Sequence, residues 1–141
     1  MSESTGSTDK LVGVVLVSHS AAVAASVAEL ATGLAGGGTT APVAPAGGTM
    51  DGGLGTSAEL ISAAAASVDR GAGIAVLTDL GSAVLTVKAL LAEGDELPDN
   101  SRLVDAPFVE GAVAAVVTAS TGADLAAVEA AATEAYTYRK V

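Results

Sequence analysis

One run of residues limits the fold more than any other feature of this sequence: Leu11–Val17, read LVGVVLV. It shows no polar alternation. A strand with one face in water alternates apolar and polar side chains, so an unbroken run signals a strand covered on both faces, as in a parallel sheet with helices on either side. A membrane-spanning helix needs roughly 18–20 apolar residues, and no stretch of this chain approaches that. The apolar character is spread through helices as alanine instead. Only 2% of residues are aromatic, so the core must be built from Ala, Val, Leu and Ile.

The run ends at Ser18-His19-Ser20. Val23, Val27, Leu30 and Leu34 then recur at helical spacing, which predicts a helix with those four inward. Ser18 and Ser20 both suit its N-cap, and Gly36-Gly37-Gly38 stops it. Thr39–Pro45 is a weak strand, placed on the sheet edge because its prolines cannot donate ladder hydrogen bonds. Ala46–Gly55 is a glycine-rich loop. Thr56 or Ser57 caps a second helix, with Leu60, Ile61, Ala64 and Val68 inward. Gly73–Leu77 is a second buried strand, followed by Thr78-Asp79-Leu80-Gly81-Ser82 and a third helix with Val84, Val87, Leu90 and Leu91 inward. Leu103 and Val104 form a short strand. A fourth helix runs from about Val109 to Ala119, and Asp124 caps a last one to about Tyr138. Strict alternation of strand and helix implies a parallel sheet with right-handed crossovers. The expected architecture is therefore α/β, a three-layer sandwich around a mainly parallel four- to five-stranded sheet; alternation leaves the strand order open, and the order taken for it is 2-1-3-4.

A chain of 141 residues holds one such core. The polar start lacks the basic and apolar regions of a secretory signal. It reads as a disordered tail over 1–10, before a single domain over 11–141 of a cytoplasmic protein. With 6 basic and 16 acidic residues, the net charge of −10 argues against nucleic acid and anionic membrane as partners. Absence of cysteine removes disulfides, thiolate metal sites and thiol chemistry, and a single histidine removes multi-histidine metal sites.

In an open parallel sheet, ligands gather beyond the carboxyl ends of the strands at the switch point of strand order. In the order 2-1-3-4, Ser18-His19-Ser20 and Thr78–Ser82 flank that point, and His19 would face Asp79. A carboxylate holding the proton on one imidazole nitrogen leaves the other as a nucleophile. His19 precedes a helix, and Gly81-Ser82 open another, so backbone N–H groups point to where an anion would lie. Each feature also has a plain structural reading. A histidine at a strand end can be a hydrogen-bonded turn residue, and Asp79-Leu80-Gly81-Ser82 is a good helix entry in which Asp79 caps. The glycine-rich loop lacks both the dinucleotide fingerprint and the P-loop lysine. Asp51 in it reads as solvated, Glu110 as an acid at a helix start, and Tyr136 and Tyr138 as surface or interface residues.

Taken together, Leu16-Val17-Ser18-His19-Ser20, Gly55-Thr56, Asp79-Leu80-Gly81-Ser82-Ala83, Ala106-Pro107-Phe108-Val109-Glu110-Gly111 and Ser120-Thr121-Gly122-Ala123-Asp124 resemble the phosphotransferase subunits of phosphoenolpyruvate-dependent dihydroxyacetone kinases. These are relatives of the mannose-type IIA domains of the sugar phosphotransferase system. The resemblance spans roughly residues 11–135, in order. It implies that His19 accepts a phosphoryl group, through Nε2, from the phosphocarrier HPr and passes it to ADP held on the nucleotide-binding kinase subunit. The ATP so formed phosphorylates dihydroxyacetone. Asp79 would orient and balance the histidine, and donors at Ser20, Gly55, Thr56, Gly81 and Ser82 would hold phosphoryl oxygens. The intermediate is covalent, with no metal and no cofactor on the carrier, and the domain is expected to be a homodimer. The chain departs from the family in its polar tail, its glycine-rich loop and its lack of fused domains. The last point implies a separate phosphodonor protein. Three rival readings stand beside this one: a mannose-type IIA component of a sugar permease, a non-covalent nucleotide- or ligand-binding module, and a phosphorylated regulatory protein.

Overall fold

The computed structural model describes residues 10–141. Apart from Lys10, the tail expected over 1–10 lies outside the described residues. Among them the order is β1 (Gly13–Ser18), α1 (Ala21–Leu34), β2 (Val43–Gly47), α2 (Ala58–Ser67), β3 (Ile74–Thr78), α3 (Gly81–Glu93), β4 (Ser101–Leu103), α4 (Phe108–Ser120) and α5 (Leu125–Glu134), closed by a 3₁₀ turn at Ala135–Thr137. The strands form one sheet in the order β2-β1-β3-β4. Every pairing is parallel.

β1 is buried along its whole length, as its unbroken apolar run requires. Its side chains feed two cores by alternation. Val14 and Leu16 join Ala75 and Leu77 of β3 under α1, α4 and α5. Val15 and Val17 join Ile74 and Val76 under α2 and α3. β2 lies on the edge, where Pro45 costs the sheet nothing.

The helix caps follow the chemistry of the sequence in three places. Ser20, Ser57 and Asp124 accept from Val23, Leu60 and Ala127 respectively. α1 departs from its expected orientation. Of its four large apolar residues only Val27 is buried; Val23 is 45%, Leu30 45% and Leu34 60% exposed. The inward face is Ala24, Val27, Ala28 and Ala31. Both stripes repeat at helical spacing, but α1 packs against β2 and α4 together, and only the small stripe allows that close approach. In α2, Ile61, Ala64 and Val68 are buried as expected while Leu60 is half-buried. In α3, Val87 and Leu90 are buried while Val84 and Leu91 are half-buried, and Ala83 completes the inner face. The last helix ends at Glu134 rather than Tyr138. The chain tightens into the 3₁₀ turn there, and the Tyr136 hydroxyl donates to Asp105 Oδ1 at 2.8 Å.

Candidate functional site

The parallel register builds the site. Leu16 pairs with Leu77 and Val17 with Thr78. The next step sets the end of β1 beside Asp79, whose backbone N–H donates to the Val17 carbonyl at 3.1 Å. The carboxyl ends of the two central strands thus bring together residues about sixty positions apart.

Asp79 turns its carboxylate back toward β1. Oδ1 faces His19 Nδ1 at 3.0 Å and accepts from the Leu80 N–H at 2.7 Å. Oδ2 accepts from the Ser18 hydroxyl at 2.9 Å and from the His19 backbone N–H at 3.0 Å. Burial alone pushes this carboxyl's pKa up. The bonds from the His19 backbone and ring, the Ser18 hydroxyl and the Leu80 N–H outweigh that and hold it below 3.8. Asp79 is therefore ionised at neutral pH. The reading of Asp79 as a helix cap is corrected: α3 takes Leu80 as its N-cap, with no side-chain cap bond.

A carboxylate only accepts hydrogen bonds, so His19 Nδ1 carries a proton, and the tautomer this contact favours leaves the lone pair on Nε2. The Ser82 hydroxyl lies 2.5 Å from Nε2, and in that tautomer it is the donor. The imidazole is 25% exposed and Asp79 17%, so the ring is neither sealed in the core nor free in solvent. The first two amides of α3, Gly81 and Ser82, have no intrahelical acceptor by position and carry the positive end of the helix dipole.

The other expected oxygen-binding residues lie close by in the fold, with their backbone and hydroxyl groups engaged locally except for the Ser20 hydroxyl proton, which no bond among the described residues uses. The Ser20 N–H donates to Ser18 Oγ at 3.0 Å, and its own hydroxyl caps α1. The Gly55 N–H donates to the His19 carbonyl at 2.9 Å. The Thr56 hydroxyl pairs with Thr86 at 3.0 Å, and Thr86 in turn donates to the Ser82 carbonyl at 3.3 Å. These three brace the histidine segment and the first turn of α3.

The glycine-rich loop serves the same end. Its Gly48 N–H donates to the Ser18 carbonyl at 3.1 Å, while Gly55 holds His19, so the loop clamps the histidine peptide from both ends. Between them the loop closes on itself, Thr49 and Gly53 exchanging backbone and hydroxyl bonds. Glycine is required where the loop leaves β2. A Cβ on Gly47 would stand 2.4 Å from the Ser20 carbonyl oxygen, and Gly48 takes φ +75°.

Ser18 is the functional candidate that the sequence reading passed over as a mere cap option. A hydroxyl ending a fully buried strand needs an internal partner, but whether a residue at a strand end turns inward is decided by the register rather than by the sequence pattern. A cavity of about 530 Å³ opens beside Asp79, walled by Leu80, Val84, Lys88, Leu103 and Tyr136. His19 does not line it. Its Nε2 instead faces the Ser82 hydroxyl at the exposed first turn of α3.

A family model described as the PTS system fructose IIA component, EIIA-man, matches residues 13–129. The chain belongs to the mannose-type IIA family. This IIA chain is 36% identical over 108 residues to the phosphoryl donor subunit DhaM of PEP-dependent dihydroxyacetone kinase 2 from Listeria innocua, covering 76% of this chain and 85% of that one. It is 36% identical over 118 residues to the DhaM subunit of Escherichia coli, covering 82% of this chain but only 25% of that longer protein. Among solved structures, the unknown-function protein EF1359 superposes with a TM-score of 0.74 at 30% identity, covering 88% of this chain and 94% of that one. A sigma-54 interaction domain protein from Enterococcus faecalis superposes with a TM-score of 0.65 at 18% identity, covering 92% and 93%, which shows the shared fold.

Proposed function

We propose that this IIA chain is the phosphohistidine relay subunit of a phosphoenolpyruvate-dependent dihydroxyacetone kinase. It takes a phosphoryl group from HPr and passes it to ADP on the nucleotide-binding kinase subunit, and it acts as a cytoplasmic homodimer. The observation that carries the reading is the His19 geometry: Nδ1 tied to Asp79 and Nε2 facing the exposed Ser82 hydroxyl at the start of α3. That two relatives are phosphoryl donor subunits of such kinases supports the choice of kinase.

The step follows from that geometry. The Nε2 lone pair attacks the phosphorus of the donor's phosphoimidazole. A new N–P bond forms while the donor's N–P bond breaks, its electron pair returning to the donor ring. Nδ1 keeps its proton, so the phosphorylated ring is a cation facing the Asp79 carboxylate. The Ser82 hydroxyl must leave Nε2 first and then donates to a phosphoryl oxygen beside the Gly81 and Ser82 amides. Onward transfer is the same displacement with a terminal phosphate oxygen of ADP as nucleophile. Such transfers depend on positioning and electrostatics more than on covalent chemistry by the protein. Because the chain carries excess negative charge, local donors must hold the phosphoryl group against overall repulsion.

The test mixes the chain with phosphoenolpyruvate, enzyme I, HPr, ADP, the two kinase subunits and dihydroxyacetone. Dihydroxyacetone phosphate is expected with wild type and not with His19→Ala. The description of the family model as a fructose IIA component favours a second reading, a sugar-permease component. That reading is supported if the wild-type chain takes up an acid-labile phosphate yet forms no dihydroxyacetone phosphate.

A further inference from the structure

We propose that Ser18 is a positioning residue for the relay, fixing the rotation of the Asp79 carboxylate and through it the tautomer of His19. The proposal rests on the reading of His19 as the phosphoryl acceptor.

Ser18 is fully buried, the most enclosed polar residue among those described. Its hydroxyl does two things at once. It donates to Asp79 Oδ2 at 2.9 Å and accepts from the Ser20 N–H at 3.0 Å. The accepted bond uses the backbone of α1's N-cap to aim the O–H, so the hydroxyl proton has one direction left, toward Asp79. Its own carbonyl is held by Gly48, which fixes the strand end that carries it.

The consequence is felt at Oδ1. A carboxylate can rotate about its Cβ–Cγ bond, and rotations between the two bonded orientations aim neither oxygen at the imidazole N–H. Here Oδ2 is held by two donors from the β1 end, the Ser18 hydroxyl and the His19 N–H, in nearly equal bonds. That leaves Oδ1 for the ring and for Leu80. Hydrogen bonds to a charged group are stronger than those between neutral groups. Removing one of the two holding donors therefore loosens the rotation, and with it the preference for the proton on Nδ1. Nε2 is the nucleophile only in that tautomer. Ser18 touches neither the phosphoryl group nor the reacting nitrogen, so it acts through Asp79.

The test compares wild type, Ser18→Ala and Ser18→Cys, the last keeping the volume while offering only a weak donor. Imidazole ¹⁵N NMR of the unphosphorylated protein reads the tautomer directly. Wild type is expected to show one Nδ1–H tautomer, Ser18→Ala a mixture, and Ser18→Cys an intermediate ratio. The initial rate of phosphoryl acceptance is expected to fall about tenfold to a hundredfold in Ser18→Ala. In an Asp79→Asn background, Ser18→Ala is expected to add no further loss, because the group it positions is gone. An unchanged tautomer, or the same fold-loss in both backgrounds, overturns the proposal. Should Ser18→Ala fail to fold, Ser18→Cys carries the same comparison. If wild type takes up no phosphoryl group at His19, the proposed function fails while the tautomer comparison still decides what Ser18 does.

Discussion

Asp79 works against its own burial. Four hydrogen bonds hold its charge in a site largely out of water, and the net effect is a carboxyl whose folded-state pKa lies below 3.8. The unfolded chain keeps the ordinary value, so on acidification the unfolded state binds this proton first. The stability that Asp79 contributes is complete above about pH 4 and is lost as pH falls through the folded value. Asp79→Asn has no such ionisation. Denaturant midpoints measured from about pH 6 down to about pH 2 are expected to fall less steeply for Asp79→Asn than for wild type. Asp51, stabilised first by the Thr49 hydroxyl, and Glu110, paired with Lys140, are also held low but occur in both proteins. The difference between the two curves therefore isolates Asp79. At neutral pH the same substitution is expected to slow phosphoryl acceptance by about a hundredfold or more, since the imidazolium-like product loses its counter-charge. An unchanged rate would make the aspartate a structural residue only. The two polar strand ends were legible in the sequence, but opposing His19 and Asp79 needed the strand order, which the sequence left as an assumption and the sheet supplies. Ser18 was not read as part of that site. A residue at a strand end can turn either to solvent or inward, and only the continued register decides.

The elements show a different limit. Strand identity followed from the apolar runs at Leu11–Val17 and Gly73–Leu77, since nothing but a doubly covered strand fits them. Helix orientation did not follow for α1, where two stripes share one period and alanine weighs little in any hydrophobic pattern. The expected outcome is a reversal of what size alone suggests. Leu34→Gln on the exposed stripe should change stability by less than about 0.5 kcal/mol. Ala31→Leu on the buried stripe should cost about 1–3 kcal/mol by overpacking. Thermal or urea denaturation reads both. The β2–α2 loop was legible only as a loop, because its bonds to the Ser18 and His19 carbonyls are backbone contacts that leave no mark on side-chain pattern. Gly47→Ala tests its bracing role. The added methyl meets the Ser20 carbonyl oxygen, so the variant should lose about 1–3 kcal/mol of stability and accept phosphate more slowly. A stable variant with the wild-type rate would separate the loop from the site.

The whole molecule is acidic, yet the chemistry proposed for it moves a dianionic group. A net charge of −10 cannot attract that group, but it can attract a protein that presents basic surface around its own phosphorylated residue. Acceptance at subsaturating partner is accordingly expected to slow by about tenfold between low and about 0.5 M salt, through the association rate. The rate at saturating partner should change little. Salt-independence of both would place the docking energy in apolar contacts instead. The partial exposure of the His19 ring suits such an exchange between macromolecules, and everything proposed turns on its Nε2. The most direct measurement treats wild type and His19→Ala with phosphoenolpyruvate, enzyme I and HPr, then locates any phosphate by its acid lability and by peptide mass. The expected result is an acid-labile, alkali-stable phosphate on the peptide containing His19 in wild type and none in the variant. Equal labelling of the two proteins, or a label on another residue, would contradict it.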